Sequence, residues 1–320
     1  MITTLFAQPG GRATKLDGDA DLPRLLQEGK GVVWVDLDRA AEAEVKVLSD
    51  VFRFHQLAVE DCVAESSHPK INDYGEYVYL VMHGASRDAK GKFVTHELDL
   101  FCGRNFLVTY RQDDIPAIAD LRKRCIEIEG LLARGADFLL HEILDDLADS
   151  FAVTIEALET QVDGIEGKLF KSPSVRLLAE IFAFKRDILR LKRVVFPQRE
   201  VLNRLARAEF KVVSKEAAPY FRDVYDHVYR VADLAENFRD VVTSALETYL
   251  TVVSNRTNET VKILTVFSII LMTLALVAGI YGMNVPLPLA QRGYAIWLVI
   301  GFMGTIAGGL YLFFRGRKWV

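Results

Sequence analysis

Two long apolar stretches close the chain. Residues 263–284, ILTVFSIILMTLALVAGIYGMN, hold no Asp, Glu, Lys, Arg or His, and residues 294–314 are equally free of charge. About 20 consecutive apolar residues span a bilayer core as a helix. The pattern therefore predicts two spans, about 263–283 and 294–314, joined by a short connector. Upstream, Tyr220 to Ala278 contains neither Gly nor Pro over 59 residues. At 1.5 Å per residue that is roughly 88 Å of helix, against about 30 Å for a bilayer core. One helix is expected to cross the membrane and continue well beyond it. The alternative is a break near Ser254–Asn258.

The first part of the chain has a different rhythm. GVVWVDL (31–37), YVYLVMHG (77–84) and FVTHELDLFCGRNFLVTYR (93–111) read as strands, the last as two strands turning at Gly103-Arg104-Asn105. Glu42–Val51 and Gln56–Ala64 read as helices between them. Residues 1–30, rich in Gly, Asp and polar side chains, read as a weakly ordered start. From Phe138 to Phe170 the apolar spacing is helical. Ser172 or Ser174 is placed to cap a second long helix, Val175–Val213, which Pro197 is expected to kink. The division is an α/β domain over 1–135, a long-helix stalk over 136–262 and a membrane hairpin over 263–320.

Charge gives the hairpin an orientation. Lys+Arg total 39 and Asp+Glu 43. Residues 256–320 carry Arg256, Lys262, Arg292, Arg315, Arg317 and Lys318 against Glu259 alone, which leaves the first 255 residues acidic. Basic flanks face the cytoplasm, and only Arg292 lies in the connector, so both termini are expected there. The N-terminus lacks the apolar core of a secretory signal. The acidic part would concentrate cations or simply confer solubility. No basic, aromatic-rich tract points to nucleic acid. The three cysteines form no CxxC pair and are expected as reduced, partly buried thiols.

Along the first span one face holds Asn258, Val261, Thr265, Ser268, Met272, Ala275, Gly279 and Gly282, mostly small or weakly polar. Such a stripe suits a pore wall or tight helix packing. Neither span contains a carboxylate, which weighs against a proton-coupled carrier. Mg²⁺ gives up its waters reluctantly, so a wall of amide, hydroxyl and carbonyl groups suits a hydrated ion. Two spans cannot enclose water, so a pore requires a homo-oligomer.

The chain resembles the CorA family of magnesium channels. The residues that carry the resemblance are Tyr281-Gly282-Met283-Asn284 after the charge-free span, His68-Pro69-Lys70-Ile71 followed by Tyr77-Val78-Tyr79, LLHEILDDLAD (139–149), YFRDVYDH (220–227), SNRTNETVKILT (254–265) and the RKWV tail. The resemblance implies an α+β membrane protein assembled as a pentameric funnel, with a cytoplasmic α/β domain and long helices continuing into the hairpin. It implies a selectivity motif at Gly282, Met283 and Asn284, and pore positions at Asn258, Leu264, Met272 and Tyr281. It implies regulatory Mg²⁺ bound between subunits, for which Asp88, Asp223 and Glu247 match or approximate the acidic positions. The connector, Val285-Pro286-Leu287-Pro288-Leu289-Ala290-Gln291-Arg292, lacks the family's usual acid, and the usual first-span proline and a pore threonine are Thr273 and Ala275.

The expected function is influx of Mg²⁺, with Co²⁺ or Ni²⁺ as further ions, across a bacterial inner membrane. The alternatives are a Zn²⁺ or Co²⁺ transporter of the same architecture, for efflux included, and a non-conducting metal sensor. Glu142, Asp145, Asp146 and Asp149 share a helical face, expected to be solvated or paired with Lys185, Arg186, Arg190, Lys192 and Arg193. His83 and His96 are candidates to meet across strands, with satisfied or exposed histidines the simpler expectation. No Ser/His/Asp pattern or other motif in the sequence suggests an enzyme.

Overall fold

The computed structural model describes residues 1–16, 21–64, 68–88, 91–169, 173–283 and 294–319. They fall into two units, Met1–Gly167 with Ala179–Ser244, and Lys168–Leu178 with Ala245–Val320.

The first unit is built on a seven-stranded sheet of order β2-β1-β3-β7-β6-β5-β4. The strands are β1 (Ile2–Ala7), β2 (Thr14–Leu16), β3 (Val32–Asp38), β4 (Lys70–Asp73), β5 (Tyr77–Arg87), β6 (Phe93–Gly103) and β7 (Phe106–Arg111). Among the described strands, only β3 and β7 pair in parallel. Helices α1 (Leu22–Glu28), α2 (Glu42–Asp50) and α3 (Gln56–Val63) connect strands, and α4 (Pro116–Glu127) follows β7. Period-two alternation sorts the strand side chains. Val33, Val35, Tyr79, Val81, Phe101 and Val108 share one face and pack with Leu48, Phe54, Ala58 and Cys62 of the α2–α3 segment. On the other face Gly84 lies so close to the helix beyond that a Cβ there would come within 2.9 Å of Leu147 Cδ2.

That second face also buries charge. Asp36, 1% exposed, accepts from Thr109 Oγ1 at 2.8 Å. It pairs with Arg111 at 3.4 Å and Arg122 at 3.3 Å, and Arg111 reaches Asp38 at 3.0 Å. Trp34 Nε1 donates to Thr109 Oγ1 at 3.1 Å, so β3, β7 and α4 share one polar network.

Residues 1–30 depart from the expected weak order. Ile2–Ala7 pairs with both β2 and β3, and Leu5 and Ala7 are each 1% exposed. Gly31 permits the close approach, since a Cβ would meet Ala7 O at 2.4 Å.

Three long helices follow: α5 (Ala136–Leu169), α6 (Val175–Ala206) and α7 (Ala218–Tyr281). Ser174 Oγ caps α6, accepting from Leu177 N–H at 3.2 Å, while Ser172 lies outside the described residues. The expected continuation of α6 to Val213 is not observed. The helix ends at Ala206, where Ala208 turns to φ +50° and Ser214 then accepts from Ala217 N–H at 3.2 Å to open α7. Pro197 lies inside α6. α7 is unbroken for 64 residues, roughly 96 Å, with no joint at Ser254–Asn258. The second unit contains its C-terminal part and α8 (Ala295–Gly316); both helices are long and apolar enough to cross a membrane. All three cysteines are buried free thiols, more enclosed than expected.

Candidate ion path and metal-binding cluster

The charge-free part of α7 has two distinct sides. Val266 is buried and Ile270, Thr273 and Val277 are half-buried. They recur every three or four residues, the spacing of one helix face. Tyr281 continues this side and lines a cleft of about 190 Å³ with Ala295, Leu298, Val299 and Phe302 of α8.

The stripe lies elsewhere. Asn258, Val261, Ser268, Met272, Ala275, Gly279 and Gly282 are exposed, and Thr265 is half-buried. Val261 is 53% and Met272 73% exposed, so nothing in one chain covers these apolar side chains. At about 100° per residue, Leu264 falls beside the stripe, whereas Tyr281 falls about 130° from the line midway between Gly279 and Gly282. The structure thus groups the stripe residues and Leu264, and sets Tyr281 on the α8 side.

Two hydroxyls on this helix bond back to their own backbone. Thr265 Oγ1 donates to Val261 O and Thr273 Oγ1 to Ile269 O, each at 2.8 Å. A hydroxyl that has spent its proton offers only lone pairs outward. The helix ends as Gly282 N–H bonds Ala278 O at 2.9 Å and Met283 N–H bonds Ile280 O at 3.3 Å. Asn284 and connector residues 285–293 lie outside the described residues.

The three acids matched to regulatory positions are not brought together. Asp88 sits in the β5–β6 turn, its Oδ1 accepting from Lys92 N–H at 2.9 Å. Asp223 and Glu247 are both on α7, about 36 Å apart along its axis, too far to share an ion. Glu247 is exposed.

A different set does converge, on the first unit. Asp145 and Asp149 of α5 and His227 of α7 place one ligand atom each within 4.8 Å of one another. His227 Nδ1 lies 3.9 Å from Asp145 and 4.0 Å from Asp149, while its Nε2 lies 4.0 Å from Asp223. Burial pushes the Asp145 carboxyl above its ordinary range and the neighbouring His141 below its own. Carboxylates with one imidazole form a donor set for a divalent cation. Of the two expectations for this acidic face, solvation or pairing with α6, Asp149 is largely solvated, while Glu142 and Asp146 pair with Arg124 of α4 instead of with α6, the former at 3.1 Å. Lys192 pairs with Glu236 at 3.3 Å and Arg190 with Asp187 at 3.9 Å.

His83 and His96 do not meet. His83 stands opposite Glu97 and Gly84 opposite His96, so the two rings point to opposite faces. His96 instead joins Ser86 at 2.7 Å and Asp113 at 2.8 Å. This Ser–His–Asp chain was not visible in the local sequence pattern; beside it, Ala85 N–H is spent on Ser150 Oγ at 2.8 Å.

Comparison with known proteins agrees with this architecture. The family model described as CorA-like Mg²⁺ transporter protein matches residues 29–317. The chain belongs to the CorA family. It is 31% identical to the cobalt/magnesium transport protein CorA of Thermotoga maritima, over 95% of this chain and 87% of that protein. It is also 31% identical to the putative metal ion transporter YfjQ of Bacillus subtilis, over 93% of each. The complete structure of the CorA magnesium transporter from Methanocaldococcus jannaschii superposes with a TM-score of 0.86 at 23% identity, covering 100% of this chain and 99% of that one. As a CorA-family chain it is a divalent-metal-ion transporter rather than an enzyme, with an N-terminal α/β domain and two C-terminal apolar helices.

Proposed function

We propose that this CorA-family protein is a homopentameric channel that admits Mg²⁺, with Co²⁺ or Ni²⁺ as further ions, across a bacterial inner membrane with both termini cytoplasmic. The observation that carries this reading is the exposed stripe on α7, opposite the side that meets α8. In one chain the stripe has no cover; around a shared axis it becomes a wall. The functional division is residues 1–135 as the cytoplasmic domain, 136–262 as the stalk and 263–320 as the pore hairpin.

The wall suits a hydrated ion. Asn258, Ser268 and Thr265 offer neutral polar groups, and Thr265 presents an oxygen whose proton is already donated. Leu264 and Met272 form apolar constrictions that gate by dewetting. Gly282, Met283 and Asn284 hold the outer mouth. With no Asp, Glu, Lys, Arg or His in either span, the driving force is the membrane potential, about 2.3 kcal/mol per charge per 100 mV.

Regulation is assigned to cytoplasmic Mg²⁺ bound between subunits through Asp88, Asp223 and Glu247. Asp145, Asp149 and His227 stand beside Asp223 and enlarge that donor set. Bound ion holds the closed state, and its loss shifts the population toward opening. The imidazole supports a second reading, a Zn²⁺ or Co²⁺ transporter of the same architecture, because nitrogen donors favour those ions over Mg²⁺.

The test is uptake into proteoliposomes with low internal Mg²⁺ and an inside-negative potential, alongside Asn284→Ala. Mg²⁺ uptake that vanishes in the variant supports the channel and places selectivity at the motif. Flux of Zn²⁺ or Co²⁺ without Mg²⁺ selects the second reading, and no divalent flux from a well-folded oligomer leaves a non-conducting sensor.

A further inference from the structure

A cavity of about 510 Å³ opens on the first unit, lined by residues of β5, β6, the end of β7 and α6. Its floor is β5 and β6: His83, Thr95, Glu97 and Asp99 all line it. One buried polar group at this cavity has an unpartnered atom. His83 is 4% exposed, with Nε2 3.6 Å from Glu97 and no hydrogen-bond partner for Nδ1 among the described residues. An unsatisfied buried polar atom is costly, so its presence at a concavity marks a place where a ligand can complete the bonding.

The mouth is mainly cationic, with Asp113, which pairs with His96, as its exposed acid. Arg190 and Arg193 of α6 and Lys92 of the β5–β6 turn line it and are exposed. Arg190 faces Asp187 at 3.9 Å, whereas Arg193 has no ion-pair partner among the described residues. The floor has the opposite chemistry: Glu97 accepts, Thr95 offers a hydroxyl, and Asp99 receives the Tyr79 hydroxyl at 2.5 Å. A bare anion suits the mouth but not a carboxylate floor. A molecule with a phosphate at one end and hydroxyl or amine donors at the other suits both. Guanidinium groups bind phosphate in bidentate geometry, and the volume falls in the range that holds small metabolites.

We propose that this cavity binds a soluble organic phosphate of about nucleoside-monophosphate size, its phosphate on Arg190, Arg193 and Lys92 and its hydroxyl- or amine-bearing body on Glu97, Thr95 and His83. The site is independent of which ion the protein conducts.

The test is calorimetric titration of the full-length protein in detergent micelles, with EDTA present so that metal–nucleotide complexes do not contribute. The probes are AMP, ribose 5-phosphate and glycerol 3-phosphate, with adenosine and inorganic phosphate as halves of the first. Saturable binding of at least one organic phosphate, at one site per chain, is expected. Losing one charge-assisted contact should weaken it about tenfold or more in Arg190→Gln or Arg193→Gln. Lys185→Gln, also exposed on α6 but away from the cavity, should leave it unchanged. All three organic phosphates failing to bind at millimolar concentration would overturn the proposal. So would unchanged affinity in both arginine variants, or inorganic phosphate binding as tightly as the organic ones.

Discussion

Thr265 and Thr273 offer a controlled test of which side of α7 faces the ion. Both are threonines on one helix, and both donate to the carbonyl four residues back at 2.8 Å. They differ in direction. Thr265 belongs to the stripe, whereas Thr273 lies about 130° from the line midway between Met272 and Ala275, on the side of Val266 and Tyr281. Replacing either with valine keeps the shape and removes one oxygen. Because the threonine proton is spent on the backbone, what the pore loses at Thr265 is an acceptor for a water of the hydrated ion. One net hydrogen bond is worth about 0.5–1.5 kcal/mol. At 1.36 kcal/mol per decade, its loss at the barrier slows flux roughly 2- to 13-fold. Each subunit contributes one such oxygen, so the upper part of that range is expected for Thr265→Val. Thr273→Val should leave flux within about twofold, since it alters only a helix-to-helix surface. The assay is initial Mg²⁺ uptake into proteoliposomes at matched protein content, with oligomer integrity checked by size-exclusion chromatography. Equal losses in the two variants, or a larger loss at Thr273, would refute the assignment of the stripe to the ion path.

Three further outcomes concern the first unit. Asp36→Ala leaves the buried Arg111 guanidinium with Asp38 and the exposed Asp114 as its remaining carboxylates, and should cost about 3–5 kcal/mol of stability in chemical denaturation; a cost under about 1 kcal/mol would mean that these two compensate. Gly84→Val drives a branched side chain against Leu147 and should cost about 1–3 kcal/mol, read as a fall in Tm. His83 is pushed down by burial to about 4 from an ordinary 6.5. As pH falls through that window the unfolded chain takes the proton first, so the stability present above pH 6.5 is lost toward pH 4. His83→Asn should flatten that part of the Tm–pH curve, and an unchanged slope would show that other groups set it.

Much of the fold was legible because its signals are local. The strand runs at 31–37, 77–84 and 93–111 appear as β3, β5, β6 and β7, and the turn at Gly103-Arg104-Asn105 joins the last two. Fifty-nine residues without Gly or Pro became one helix, as backbone propensity requires. The failures have physical causes. Ile2–Ala7 is short and is followed by Gly10-Gly11, so nothing local marks it as a strand; it is held by pairing with β3, thirty positions away. Residues 207–213 are compatible with helix by composition, yet Ala208 adopts a left-handed turn because the chain must reverse into α7.

The site divides in the same way. The stripe could be read because every member lies on one helix, where spacing alone decides direction. The same arithmetic also separates Tyr281 from it, but only the cleft with Leu298 and Phe302 shows what that other side is for. The metal cluster could not be read, because its members come from two helices about eighty positions apart. In the sequence Asp145 and Asp149 are two acids in an acidic run, and His227 has no second histidine at ligand spacing. Asp223 was visible through the family motif, four residues before His227, one turn along the same face. An acid one turn from a histidine, on a part of a helix outside the apolar spans, therefore directs attention to donors on the neighbouring helix. Here the neighbouring helix is α5, whose Glu142 and Asp146 are taken up by Arg124 while Asp145 and Asp149 stand beside His227.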